Sequence, residues 1–311
     1  MLKIVNPDRK FDQYAILLIL ALIWGSSFIL MKKGLESFNF VQVGALRIFA
    51  AAVFLLLISF RRLKRVKKEH IKSLVVVGVF GNLLPAFLFT KAQTGINSSL
   101  AGILNSLTPV FVLLIGILFY KSKVGYLNMA GLLVALIGSV GIIYKPDIFM
   151  LTDKSYYAVF IIVATFFYGI STNEIKYKLS GLDGLTMSVA AFTMILPAAA
   201  VYLFWDTTFL STAVKSENLY ALGAILILAL FSSAIAVPVY NLLIKSTSAI
   251  FASSVTYLIP VVAIFWGIAD NETLTLFQLF CIVVVLIGVY LVNKKKSGAQ
   301  KIGTVPFTGK I

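Results

Sequence analysis

The chain has 311 residues, of which 60% are hydrophobic and only 13% are charged, and its formal net charge is +15. Soluble globular domains are typically about 25% charged, so this chain has too few charged side chains to cover a surface that faces water. Apolar runs near the roughly 20 residues that cross a bilayer as a helix recur along its length. The composition therefore excludes a soluble globular protein and predicts a polytopic helical membrane protein.

Cysteine and histidine usage limits the chemistry of the chain. Cys281 and His70 are the only residues of their types, so a disulfide within the chain is excluded and a Cys/His metal site is not expected. The chain also lacks the G-x-x-x-x-G-K-[ST] loop that binds nucleotide phosphates. We predict no catalytic residue, no metal and no cofactor.

Breaks between apolar runs predict ten membrane-spanning helices. They lie near residues 14–35, 40–60, 73–94, 98–120, 126–144, 155–177, 184–205, 218–243, 248–269 and 274–293. The first run, from Tyr14 to Leu35, is too long for the core of a cleaved signal peptide. Outside the spans we expect a cytoplasmic N-terminus (1–13) and a disordered cytoplasmic tail (294–311).

The distribution of lysine and arginine predicts the orientation. An even number of spans places both termini on one side, and that side holds the basic loop from Arg61 to Lys72 and most other basic residues. Positively charged loops remain cytoplasmic, so we predict a cell (inner) membrane protein with both termini in the cytoplasm. Because the basic residues flank spans and form no domain, the expected partners are the lipid bilayer and a small-molecule substrate, without nucleic acid. Monomer and homodimer both stay open.

An internal repeat relates two segments that each contain a proline. "NSLTPVFVLLIG" (105–116) aligns with "TYLIPVVAIFWG" (256–267), which matches Pro109 with Pro260 and places Asn105 opposite Thr256. The first and sixth spans align as well, with Ser27 opposite Ser171. Five spans per repeat is an odd number, so the halves would cross the membrane in opposite directions, as in many secondary transporters. The predicted fold is an all-α integral membrane protein with ten transmembrane helices in two inverted five-helix repeats, residues 14–144 and 155–293.

The two prolines leave carbonyl groups without their helical partners. Proline has no backbone N–H, so the carbonyls of Asn105 and Thr256, four residues earlier, lose a hydrogen bond. In hydrocarbon such groups must meet protein or water. Two interpretations remain open: the prolines only kink helices for packing, or the two helices line one central cavity from opposite halves.

Several segments resemble a known transporter family. They are "WGSSF" (24–28), "LRIFAAAVFLLL" with Arg47, the paired proline segments, and "DNETLTLFQLFCIVVVLIGVYLV" with Glu272 before the last helix. In their order and duplication the chain resembles the drug/metabolite transporter superfamily, specifically its ten-span EamA-type members. Lys121 departs from the glutamate expected after the fourth span, and "LFCIV" lacks a glycine often found early in the last helix.

The resemblance implies export or exchange of small metabolites such as amino acids through a central cavity lined by spans one, three, four, six, eight and nine. Polar, aromatic and proline side chains within those spans are the candidate lining. They are Trp24, Ser27, Asn82, Asn105, Pro109, Tyr168, Ser171, Thr172, Tyr240, Thr256, Tyr257 and Pro260.

Two charged residues are candidates for gating or charge pairing. Arg47 lies inside the second span, where it contacts an anion, pairs at a gate, or extends to the lipid headgroups. Glu174, at the end of the sixth span, is expected to pair with the neighbouring Lys176 and Lys178, with proton coupling as the alternative.

These features predict a secondary transporter of a neutral or zwitterionic, amino-acid-like metabolite that works by alternating access as an exporter or facilitative exchanger. Cation or drug efflux by proton antiport is the alternative, disfavoured because no carboxylate lies at the centre of a span. A lipid-modifying membrane enzyme is the alternative from a different class. Its chemistry normally needs clustered acidic or histidine side chains, and here the acidic residues are dispersed.

Overall fold

A computed structural model describes residues 9–96, 98–143, 156–205, 208–269 and 276–292, and within these ranges every regular element is a helix. The α-helices are α1 (Lys10–Leu35), α2 (Phe40–Ser59), α3 (Lys68–Gly78), α4 (Leu84–Gln93), α5 (Ser98–Asn105), α6 (Thr108–Tyr120), α7 (Tyr126–Ile143), α8 (Tyr157–Lys178), α9 (Gly184–Trp205), α10 (Thr208–Ala213), α11 (Leu219–Ile227), α12 (Ala236–Ser246), α13 (Ala249–Ser253), α14 (Val255–Ala269) and α15 (Leu276–Val292). The predicted tail and Glu272 lie outside the described residues.

Six of the described helical stretches are long and apolar enough to cross a membrane. They are Lys10–Leu35, Phe40–Arg65, Lys68–Gln93, Tyr157–Lys178, Gly184–Trp205 and Ser216–Ser246. Four shorter apolar stretches accompany them: Thr108–Tyr120, Tyr126–Gly141, Ala249–Val262 and Leu279–Val292. Large apolar side chains such as Leu57, Leu118 and Ile137 are exposed on the outside of the bundle. An exterior of this kind suits lipid and does not suit water.

The predicted fourth and ninth spans are each divided into two helices. A turn at residues 106–107 separates α5 from α6, and Ser254 separates α13 from α14. Pro109 therefore lies in the first turn of α6, where a missing N–H removes no intrahelical bond. The expectation that Pro109 interrupts a continuous helix is wrong, because the helix has already ended before the proline.

Pro260 lies inside α14, so it removes a backbone hydrogen bond from the helix as the sequence predicts. The carbonyl of Thr256, which loses its helical partner to the proline, accepts a hydrogen bond from the Ser106 hydroxyl at 3.3 Å. Ser106 itself lies in the turn between α5 and α6, 150 residues away in sequence. A hydroxyl in the turn between α5 and α6 thus supplies the hydrogen bond that the proline removes from a carbonyl of α14.

Two π-helical segments interrupt the third and eighth predicted spans. Val79–Leu83 joins α3 to α4, and Leu228–Ile235 joins α11 to α12. The wider turn of a π-segment disturbs the regular ladder of backbone hydrogen bonds and is frequent at functional sites. Side chains meet the disturbed groups: the indole N–H of Trp24 donates to the Ser232 carbonyl at 3.0 Å, and the Asn82 amide donates to the Val77 carbonyl at 3.2 Å.

Helices α7 and α15 pack closely because glycines bring their backbones together. A Cβ atom on Gly138 would lie 2.9 Å from the backbone nitrogen of Val285, and one on Gly288 would lie 2.4 Å from that of Ala135. Small residues at a helix–helix contact allow this approach, which maximises van der Waals packing within a membrane.

We expect Gly288→Ala to destabilise the protein, because the added methyl group overlaps the backbone of α7. Overpacking of this kind typically costs about 1–3 kcal/mol, which thermal unfolding in detergent would register as a lower Tm. Gly223→Ala is the matched control, since a Cβ there meets no atom within 4 Å. An equal Tm for both variants would contradict the proposed tight contact.

Several connections meet at one end of the bundle, which we call the basic end. It comprises residues 60–67, 121–125, 179–183 and 247–248, together with the adjoining helix termini. Arg62 contacts Asp183 at 3.0 Å, and Lys245 donates to the Leu182 carbonyl. Asp183 also begins α9, because its carboxylate accepts from the Thr186 amide at 3.0 Å and from the Thr186 hydroxyl at 2.6 Å.

The carboxyl group of Asp183 has a pKa below its ordinary value. Burial alone would raise that pKa, but the two hydrogen bonds from Thr186 and the charges of Arg62 and Arg65 outweigh it. The ionised carboxylate therefore holds the 60–67 connection against the start of α9.

Asp183 should make stability depend on pH in the acidic range. Its folded pKa is lowered, so its contribution is present above the ordinary value of 3.8 and is lost as pH falls through the lower folded pKa. We expect the Tm difference between the wild type and Asp183→Asn to be constant near neutral pH and to shrink below about pH 4. The exposed Glu217, at the other end of the bundle, supplies a control in Glu217→Gln; a pH-independent difference for Asp183→Asn would contradict the assignment.

Candidate functional site

A cavity of about 110 Å³ lies in the interior of the bundle. Its walls come from α1, α2, α4, α5, α6, α8, α12 and α14, from the last turn of α3 and from both π-segments. These elements include every span that the family resemblance implies as lining. Helix α2, which the resemblance does not imply, also borders the cavity through Arg47 and Ile48.

Nine of the twelve candidate lining residues border this one cavity, together with Arg47. They are Trp24, Ser27, Asn82, Asn105, Tyr168, Ser171, Thr172, Tyr240 and Thr256. Asn105 and Thr256, the residues opposite each other in the internal repeat, thus face the same space.

Pro109, Tyr257 and Pro260 are not part of the lining. Thr108, Thr256 and Ile259 border the cavity in their place, because successive helical residues are rotated by about 100° and neighbours point away. Tyr257 is fully buried, and its hydroxyl has no hydrogen-bond partner among the described residues. The sequence analysis assigned these three residues to the correct helices but to the wrong face.

Aromatic rings form two groups at the cavity. Trp24 and Tyr240 meet edge to face with ring centroids 5.1 Å apart. Phe89 stacks against Tyr168 at 6.0 Å and also contacts Phe28 at 6.1 Å. Rings of this kind present an apolar wall to a solute, and Tyr168 and Tyr240 add hydroxyl groups.

Hydroxyl and amide groups supply the polar part of the lining. Ser27 and Ser232 share a hydrogen bond at 2.6 Å, and the hydroxyls of Thr172 and Tyr240 are 3.4 Å apart. The Asn105 side chain accepts from Thr108 at 3.3 Å. Its amide nitrogen makes no hydrogen bond within the described part of the chain, so it remains available to a solute.

Among the described residues that line the cavity, Arg47 is the only one with a formal charge. Its Nε donates to the Ser233 hydroxyl at 3.0 Å. The guanidinium borders the interior cavity and does not extend to the end of α2. The ion pairs of the described residues lie elsewhere, at Lys33–Glu36, at Asp183 and around Glu69.

Glu174 does not pair with the neighbouring lysines, so that part of the sequence analysis is wrong. Its buried carboxylate accepts hydrogen bonds from the Ser73 hydroxyl at 2.6 Å and from the Tyr120 hydroxyl. Lys176 instead donates to three carbonyls near the end of α12, among them Ile244 at 3.0 Å. Lys176 is engaged by those carbonyls, while two hydroxyl donors from α3 and α6 satisfy the Glu174 carboxylate.

We expect Glu174 and Tyr120 to be energetically coupled. A hydrogen bond to a carboxylate is worth about 1.5–3 kcal/mol, so Tyr120→Phe and Glu174→Gln should destabilise non-additively in a double-mutant cycle of unfolding in detergent. Lys178→Gln is the control and should combine additively with Glu174→Gln. Coupling to Lys178 with none to Tyr120 would restore the lysine pairing.

Sequence reasoning missed Ser232, Ser233, Phe28 and Phe89 as lining residues. The two serines were detectable, because the offset of 151 residues that aligns Asn105 with Thr256 also aligns Gly81 with Ser232 and Asn82 with Ser233. The phenylalanines were detectable in the same way, because the offset of 151 residues aligns Phe89 with Tyr240 and the offset of 144 residues aligns Phe28 with Thr172.

The arrangement suits binding of a small solute. It offers aromatic walls, neutral hydrogen-bonding groups and one positive charge. Among the described residues no group of three His, Cys, Asp or Glu side chains is placed to hold a metal ion.

The profile of the EamA-like transporter family matches residues 13–144 and 155–294. Among curated relatives, an uncharacterized transporter of Archaeoglobus fulgidus is 26% identical over 285 residues, which cover 91% of this chain and 99% of that protein. The uncharacterized inner membrane transporter YedA of Escherichia coli is 28% identical over 304 residues, covering 91% and 93% of the two chains. A crystal structure with 15% sequence identity covers 91% of this chain and 96% of its own, with a TM-score of 0.71, and so shares the fold.

Proposed function

Because the chain belongs to the EamA-like transporter family, we propose that it moves a small neutral or zwitterionic metabolite through the central cavity by alternating access. It is a multi-pass membrane protein, and the names of its relatives indicate a transporter rather than an enzyme. For this membrane transporter we propose the route, the type of solute and the mechanism.

The observation that carries the proposal is the paired lining of the cavity. The lining residues fall into pairs at two sequence offsets. The offset is 144 residues for pairs between α1 and α8, and 151 residues for the pairs that involve the third, fourth, eighth and ninth spans. The pairs include Trp24 with Tyr168, Ser27 with Ser171, Asn82 with Ser233, Phe89 with Tyr240, and Asn105 with Thr256. A cavity built from equivalent positions of two halves is the arrangement expected at the interface of an inverted repeat.

Contacts across the bundle recur with the same offsets. The ring pair of Trp24 and Tyr240 corresponds to that of Tyr168 and Phe89. The close approach of Gly25 to Val262, 2.7 Å for an added Cβ, corresponds to that of Gly169 to Phe111, 3.0 Å. These duplicated contacts support two halves, residues 14–144 and 155–293, of five spans each and related by an inverted twofold arrangement.

Such an arrangement favours alternating access. If the halves are equivalent, inward-open and outward-open states are built from corresponding contacts and differ little in energy. A solute that binds between the halves can then shift the population with modest binding energy, because only its differential affinity for the two states matters.

The orientation proposed for the chain follows from the basic end. The rings of Tyr14 and Phe251 are 5.5 Å apart, and Asn128 contacts the Val292 carbonyl, which brings the start of α1 and the end of α15 toward the loops of this end. We therefore place the basic end and both termini in the cytoplasm, following the positive-inside rule, with the protein in the inner membrane.

The charge of the cavity favours the proposed solute over a cation. Of the described lining residues only Arg47 is charged, and it would repel a positively charged drug; none of them is a carboxylate that could carry a proton in exchange for such a drug. A neutral or zwitterionic solute that is exported or exchanged down its gradient needs neither a negatively charged binding site nor a proton-carrying carboxylate.

Counterflow in proteoliposomes tests the proposal. With L-amino acids assayed singly, we expect uptake of labelled solute to be accelerated by an opposing gradient of the same unlabelled solute, as for a carrier. Trp24→Ala should reduce the rate at least tenfold through the loss of the cavity wall, whereas Trp205→Ala, at a residue 84% exposed on the outside, should leave it unchanged. Uptake without acceleration across the panel and across other small metabolites would overturn alternating access.

A further inference from the structure

Arg47 departs from the pairing that relates the two sides of the cavity. The offset of 144 residues aligns Arg47 with Ala191 and the offset of 151 residues aligns it with Ala198, both in α9. Neither alanine borders the cavity; the Ala191 carbonyl instead lies 2.8 Å from a Cβ added to Gly78. The positive charge of the cavity therefore belongs to one half only, and packing equivalence between the halves does not explain it.

The guanidinium of Arg47 has hydrogen-bonding capacity that the described protein does not use. Arginine carries five N–H donors and no acceptor, and only Nε has a partner, the Ser233 hydroxyl. No carboxylate of the described residues forms an ion pair with it. A charge within the membrane interior is costly without a counter-ion, so the site lacks a partner of opposite charge.

Ser233 extends the same donor surface. Because its oxygen accepts from Arg47, its own hydrogen is free to donate, and it has no acceptor among the described residues. Tyr168 borders the same cavity, and its hydroxyl makes no hydrogen bond within the described part of the chain. Three donor groups with unused hydrogens, the guanidinium and two hydroxyls, thus line the same cavity.

We propose that Arg47, Ser233 and Tyr168 form the subsite for a carboxylate of the transported solute, an inference that rests on the proposed function. The planar guanidinium fork matches the two oxygens of a carboxylate, and the hydroxyls supply the remaining donors. The bound anion neutralises the only charge of the lining.

The rest of the cavity selects among carboxylates. Trp24, Phe28 and Phe89 offer apolar surface, Asn105 offers an amide, and no further charged side chain of the described residues borders the space. A second carboxylate would have no counter-charge, whereas the ammonium group of an amino acid can rest on aromatic faces and hydroxyl oxygens. The substrate class is therefore an amino-acid zwitterion with a single carboxylate, and it excludes dicarboxylates and amines without a carboxylate.

Matched pairs of compounds test the subsite. For the wild type we expect L-amino acids to be preferred at least tenfold over their carboxamides, both in counterflow competition and in thermal stabilisation of the detergent-solubilised protein. Arg47→Gln should abolish the preference, and Arg47→Lys should retain part of it, because lysine keeps the charge but not the fork. Arg61→Gln, at an exposed residue of the basic end, is the control and should match the wild type.

The outcomes separate this inference from the proposed function. Counterflow that accepts carboxamides as well as carboxylates leaves transport standing and overturns the carboxylate subsite. Carboxylate-selective, Arg47-dependent stabilisation without counterflow supports the subsite and overturns transport. If both Arg47 variants fail to fold, Ser233→Ala retains the arginine and should lower the preference several-fold, and an unchanged preference would count against the subsite.

Discussion

The structure depends on the need to satisfy every polar group within hydrocarbon, where no water replaces a lost hydrogen bond. Carbonyl groups near the helix interruptions accept hydrogen bonds from side chains. Ser106 donates to the Thr256 carbonyl and Trp24 donates to the Ser232 carbonyl, both from other elements, whereas Asn82 of the first π-segment donates to the Val77 carbonyl just before that segment. The irregular backbone next to the cavity thus lies where such partners exist.

The same constraint explains the position of the cavity. A carbonyl or hydroxyl that one partner satisfies often keeps a lone pair or a hydrogen to spare, and where several such groups converge, a polar space results. Both π-segments and both divided helices contribute to the lining. The cavity is thus bordered by irregularities that a regular membrane helix avoids.

Much of this organisation could be predicted from the sequence, and the remainder could not for an identifiable reason. Apolar runs located the long helices, with α9 beginning at Gly184 and ending at Trp205 as predicted. Polar residues within those runs located most of the lining, because few polar side chains are found in hydrocarbon without a role. The partners of Glu174, the break before Pro109 and the direction of the buried Tyr257 away from the cavity were missed, since each depends on contacts between distant elements, such as Ser73 with Glu174, 101 residues apart.

The glycine contact between α7 and α15 has a consequence for how such a chain diverges after duplication. Two contacts between these helices correspond to each other: Gly138 packs against Val285, and Gly288 packs against Ala135. An offset of 150 residues relates Gly138 to Gly288, and the same offset relates Ala135 to Val285. In a dimer of identical halves, one substitution would alter both copies of this contact at once. In the proposed arrangement of two halves within one chain, each position can change alone: alanine stands at position 135 and valine at its counterpart 285, and a single arginine can stand on one side of the cavity.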